Sequence, residues 1–109
     1  MVESLLGSIN RERVLIYLHA RNEGYAREIS DYYQTSLSQI QKQLERLEVG
    51  NVLYSKIVGK TRVYALNPRF PFLGELQALL DKVITFYPVE EAEKLTHHRT
   101  RPRRQGKPI

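Results

Sequence analysis

A chain of 109 residues is long enough for one domain with a modest core and a tail, and too short for an enzyme built of several layers. Its apolar residues form no run near the ~18 that a membrane span needs, the start Met1-Val2-Glu3 is no signal peptide, and cysteine is absent. Disulfides, thiolate metal sites and cysteine nucleophiles are thereby excluded, and a cytoplasmic location is expected.

The net charge of +5 is unevenly placed. Five of the 17 basic residues (Arg99, Arg101, Arg103, Arg104 and Lys107) fall in 99–109, which leaves 12 in 1–98 against all 12 acidic ones. Affinity of the folded part for a polyanion must therefore come from charge arrangement or from the tail.

In chain order, residues 1–9 carry Val2, Leu5, Leu6 and Ile9, enough for a short helical turn that packs on something. Asn10 is an expected N-cap for a helix over about 11–22, with Val14, Leu15 and Leu18 facing inward and Asn22-Glu23-Gly24 closing it. A second helix is expected over about 26–33, where Ala26, Ile29 and Tyr33 share a face. A third covers about 36–49, with Leu37, Ile40, Leu44 and Leu47 at helical spacing. Its start, Ser36-x-x-Gln39, has capping-box spacing, and Gly50-Asn51 supplies its stop.

From Val52 the period changes. Residues 52–58 and 61–66 are rich in β-branched and aromatic types, and Gly59-Lys60 between them suits a two-residue turn with Gly first. Both faces of this hairpin carry apolar residues, so its orientation stays open. Asn67-Pro68 breaks the strand. A last helix over about 71–87 presents a wide apolar band from Phe72 to Tyr87, and Pro88 ends it. Glu90 to Lys94 suggests one more helical turn. The pattern as a whole predicts a mainly α domain with a small β-hairpin over 1–88, and a basic, disordered tail over 89–109.

These residues carry a family likeness. Arg11-x-x-Val14-Leu15-x-x-Leu18, Glu28-Ile29-Ser30, Ser36-x-Ser38-x-Ile40-Gln41-Lys42-Gln43-Leu44-x-x-Leu47-x-x-Gly50 and Gly59-Lys60-x-Arg62-Val63-Tyr64-x-Leu66-Asn67 stand in the order of the ArsR/MarR-type winged helix-turn-helix regulators, which the chain resembles over about 10–87. It is also similar to the winged helices found beside small nucleotidyltransferase domains, without the Gly-Ser and paired-Asp signature of the transferase itself.

The resemblance implies a dimeric transcriptional regulator, expected to act as a repressor, that binds double-stranded DNA through helix 36–49 in the major groove and hairpin 52–66 on the flanking backbone. Ser36, Ser38, Gln39, Lys42 and Gln43 would then face bases and phosphates. Thr35 would reach a phosphate from the turn, Arg27 would touch the backbone, and Lys56, Lys60 and Arg62 would arm the wing. Three positions depart from the pattern: Gln34 stands where Gly is frequent, Leu37 where Pro is frequent, and Asn51 where an apolar residue is usual. Gln34 implies either a left-handed residue costing about 1–2 kcal/mol or a different turn. The Cys-x-Cys pair of metal-sensing ArsR relatives is missing, so no metal and no cofactor is expected.

Plainer readings stand beside these. Gln39 can close the capping box or read a base, but not both in one rotamer. Lys42, Gln43 and Arg46 also fit the solvated face of an amphipathic helix, and Tyr25, Tyr32, Tyr33, Tyr54 and Tyr64 fit core positions better than a stacking platform. His97-His98 near Glu90, Glu91 and Glu93 is a weak metal set, since adjacent histidines seldom converge on one ion. The tail is either a phosphate-binding arm or a solvated terminus.

The plain reading of the last helix is that it covers its own core, but its apolar surface is larger than one side of so small a domain needs, which predicts a homodimer through Leu5, Ile9, Phe72, Leu76, Leu79, Val83 and Phe86. The alternative is an adaptor module that docks a protein partner through that helix, consistent with the neutral charge of 1–98. No nucleophile, acid–base set or phosphate loop suggests an enzyme.

Overall fold

In the computed structural model, which describes residues 1–100 with side chains through Thr96, Ser8 rather than Asn10 caps the helix at the centre of the fold. Its hydroxyl accepts from the Arg11 N–H at 2.9 Å. The chain runs α1 (Glu3–Leu6), α2 (Ile9–Arg21), α3 (Ala26–Tyr33), α4 (Leu37–Val49), β1 (Leu53–Val58), β2 (Thr61–Leu66), α5 (Leu73–Thr85) and α6 (Val89–Thr100).

The sequence pattern allotted α2 one inner face; the structure buries it nearly all round. Val14, Leu15, Ile16, Tyr17 and Leu18 are consecutive and all buried, because α1, α3, α4, α5, α6 and β2 each pack on this helix. A helix apolar on every side is a core helix. Its outer edge is tied to α5 by His19 Nε2, 2.6 Å from Asp81 Oδ1.

The turn between α3 and α4 keeps its expected geometry through strain. Gln34 is left-handed at φ 53° and ψ 51°, its N–H bonds to the Asp31 carbonyl at 3.2 Å, and the Thr35 N–H bonds to the Ser30 carbonyl at 3.0 Å. Those bonds satisfy the last carbonyls of α3, which is what the left-handed residue is for. At the other end of α4 the left-handed position falls on Asn51 (φ 64°) and not on Gly50 (φ −82°). Asn tolerates that region better than other side chains, which accounts for a polar residue after Gly50.

The hairpin pairs Leu53 with Leu66 through Val58 with Thr61, antiparallel, leaving Gly59-Lys60 as the loop. Gly59 has φ 65°, while Lys60 is not among the positive-φ residues, so the turn is of type II′. The orientation left open by the sequence is settled by Leu53 and Tyr64, which share the inner face and are buried. Gly24 bonds Tyr64 in both directions, N–H to carbonyl at 3.0 Å and carbonyl to N–H at 2.8 Å, stitching the hairpin to the loop before α3.

The expected disorder from residue 89 is corrected by α6. Leu95 is 1% exposed, and Arg21 donates to the Leu95 carbonyl at 3.0 Å while its guanidinium lies 4.7 Å from the Tyr17 ring and 4.8 Å from the Tyr32 ring. The sequence suggests only one helical turn here, over Glu90 to Lys94, because one buried leucine and a cation–aromatic stack hold this helix, not a long apolar stripe. The rest of the expected basic tail, 101–109, and the His97-His98 side chains lie outside the described residues.

Candidate nucleic-acid interface

Helix α4 buries Ile40, Gln43, Leu44 and Leu47 against the core. At 100° per residue the opposite side is Ser38, Lys42, Glu45 and Val49, all exposed, with Gln41 beside them. Gln43 therefore does not belong to the DNA-facing set assigned from the sequence. It is 5% exposed and its Oε1 accepts from Arg11 Nε at 3.0 Å. Helical spacing contained this signal, since position 43 falls three after Ile40 and four before Leu47; its amide character alone suggested surface. The exposed amide of this turn is Gln41.

The capping box is half formed. Ser36 Oγ accepts from the Gln39 N–H at 3.4 Å and lies 2.9 Å from Ser38 Oγ. The exposed Gln39 side chain makes no return bond among the described residues. Of its two uses, the cap is not the one adopted. Thr35 is half-buried in the turn, and Arg27 is exposed in the first turn of α3.

Arg27 and Tyr25, Gln41 and Glu45 of α4, and Lys60 and Arg62 of the hairpin line one cleft of about 540 Å³. The wing cations differ in freedom. Lys60 sits exposed at the turn and makes no ion pair among the described residues. Lys56, on the outer face, lies 3.6 Å from Glu23. Arg62 donates to Ser55 Oγ at 2.8 Å, and Ser55 donates to Glu48 Oε2 at 2.6 Å, so this arginine braces the root of the wing against α4.

The tyrosines divide. Tyr17, Tyr32 and Tyr33 form an edge-to-face cluster against the core, with centroids 4.8–6.4 Å apart. Burial pushes the pKa of each of their hydroxyls above the ordinary phenol range, and it does the same to Tyr64. Tyr25 and Tyr54 remain exposed. Among the described residues no three His, Asp or Glu side chains converge on one point, and no helix is long and apolar enough to cross a membrane.

The expected dimer surface is also divided. Leu5, Ile9, Phe72 and Phe86 are exposed, at 70%, 41%, 63% and 62%. Leu76 and Leu79 are partly buried against the core. Val83 is 2% exposed and belongs to the chain's own core, because its turn of α5 faces α2.

Solved structures share this fold. The YusO protein from Bacillus subtilis superposes with a TM-score of 0.58 at 19% identity, covering 90% of this chain and 77% of that one. A mutant of Lactococcus lactis ZitR in its apo form gives 0.55 at 15% identity, covering 89% and 88%. A mutant of S. aureus MepR, bound to an oligodeoxyribonucleotide, gives 0.54 at 16% identity, covering 89% and 78%. At such identities the likeness establishes the fold, a winged helix-turn-helix. No protein-family model matches the sequence, and no curated protein matches it.

Proposed function

We propose that this chain is a MarR-like regulator that binds double-stranded DNA sequence-specifically as a homodimeric repressor. The observation that carries this reading is the cleft on which the exposed side of α4, Arg27 at the start of α3 and Lys60 at the wing tip converge. α4 enters the major groove with Ser38, Gln39, Gln41 and Lys42 toward the base edges. Ser36 and Thr35 reach phosphates at its start, while Arg27, Lys56, Lys60 and Arg62 hold the flanking backbone. The fold shared with a DNA-bound neighbour supports the same assignment.

Homodimerisation rests on the exposed apolar residues Leu5, Ile9, Phe72 and Phe86, with Leu76 and Leu79 at its edge. A twofold dimer places two α4 helices about one DNA turn apart and calls for a palindromic site. The same exposed residues, with the formal neutrality of 1–98, favour a second reading as an adaptor that docks a protein partner.

Fluorescence anisotropy of the full chain on the duplex upstream of its own reading frame, against a scrambled duplex at near-physiological salt, separates the two. A preference on the order of 10³ supports the regulator. Lys42→Glu with Lys60→Glu should abolish duplex binding with the helical circular dichroism unchanged; wild-type affinity in that double variant sinks the proposal.

A further inference from the structure

Glu45 is an acid in the middle of the surface proposed to meet a polyanion. It lies on the outward strip of α4, seven residues after Ser38 and three after Lys42, and lines the cleft with Arg27, Lys60 and Arg62. Among the described residues it forms an ion pair with none of these cations. An exposed carboxylate in this position weakens attraction to phosphates, so its presence needs another partner.

A carboxylate only accepts hydrogen bonds. In the major groove guanine and thymine offer acceptors at O6, N7 and O4, which repel it, whereas cytosine N4 and adenine N6 are donors. The adenine amine lies between two acceptors, its own N7 and the thymine O4, and the cytosine amine beside only one, the guanine O6, so cytosine suits a carboxylate better. We infer that Glu45 is a specificity-determining residue that accepts from a cytosine N4 amine and rejects the acceptor edges of guanine and thymine at that position. Gln41, one turn before it on the same wall of the cleft, reads the neighbouring base with an amide that both donates and accepts. The cations around the cleft offset the repulsion of nearby phosphates, so the acid costs overall affinity and contributes discrimination. This inference rests on the DNA-binding reading above.

The test is selection of full-length wild type and Glu45→Gln from a randomised duplex library, followed by anisotropy on the enriched site and its single-pair variants. Wild type should favour cytosine at one pair by about tenfold or more. Glu45→Gln should lose the preference at that pair alone, keep the others, and bind scrambled duplex several-fold tighter. An unchanged preference at every pair, with only a uniform gain in affinity, overturns the role of Glu45 and leaves the DNA-binding reading standing. Failure of the wild type to enrich any sequence overturns both. Loss of all selectivity in a Glu45→Gln chain with native circular dichroism also counts against a single-base role.

Discussion

Arg11 donates from Nε to Gln43 Oε1 at 3.0 Å and from Nη1 to the Leu6 carbonyl at 2.8 Å, so one side chain on α2 joins α1 to the proposed recognition helix. Gly7, at φ 100°, makes room for it: a Cβ there would lie 3.2 Å from Arg11 Nη1. The segment carrying Leu5 and Ile9 and the helix carrying Lys42 are thus set relative to one another by a nearly buried amide–guanidinium contact.

Gln43→Ala should therefore act through the fold. It removes the acceptor from a guanidinium held between helices, at a cost of about 1–3 kcal/mol in urea denaturation. The Arg11→Ala/Gln43→Ala double-mutant cycle should show a coupling of about 1 kcal/mol. The order of preference among duplex sequences should not change; a changed order would return Gln43 to the base-reading set.

Tyr33 and Tyr17 should respond oppositely to loss of their hydroxyls. The Tyr33 oxygen is buried with no hydrogen-bond partner among the described residues, whereas Tyr17 accepts from Arg21 Nη1 at 2.8 Å. Tyr33→Phe is expected to raise stability by about 1 kcal/mol and Tyr17→Phe to lower it by about as much, both read from chemical denaturation.

The same ring cluster predicts an alkaline limit to stability. Desolvation holds Tyr17 and Tyr33 protonated far above the ordinary range and pushes Tyr87 up to about 12, with Glu12 adding to the last shift. These groups are raised in the folded state, so their contribution is complete below the unfolded pKa near 10 and is lost as pH rises beyond it. Unfolding free energy should fall between pH ~10 and ~12 from this source. A flat profile across that window in Tm or denaturant midpoint would contradict the burial of these hydroxyls.

Leu95→Ala should destabilise the domain by about 2–5 kcal/mol, the range for truncating a fully buried leucine. A tail that did not pack would give no change in the denaturant midpoint.

Gln34→Gly should be mildly stabilising. It removes about 1–2 kcal/mol of left-handed strain at φ 53° and reintroduces about 0.5–1 kcal/mol of glycine entropy. The expected net gain, up to about 1.5 kcal/mol, would appear as a higher Tm with duplex affinity unchanged.

Much of the architecture was legible because its signals are local. Ile40, Leu44 and Leu47 at helical spacing, the Ser36 cap, the change of period at Val52 and Gly59 at the turn each act over a few residues, and each element formed where those signals stand. The cap of α2 was misplaced by two residues, as Ser8 and Asn10 are both good caps and the choice depends on where α1 ends. The candidate site was only partly legible. Lys42, Lys60 and Arg27 are exposed as their types suggest, but Gln43 and Gln41 are chemically alike and only their angle to the core separates them.

The order helix–turn–helix–hairpin–helix was written in the residues themselves, because backbone propensity and hydrophobic period are set by near neighbours along the chain. Which sides those elements turn outward came from packing. Contact of α4 with α2 draws Gln43 to Arg11 and leaves Gln41 and Glu45 at the cleft, and docking on Arg21 and Tyr32 orders a helix whose own apolar pattern is too sparse to predict its full length. Contacts between residues 32 and 74 positions apart fix these outcomes, and no local pattern encodes such contacts.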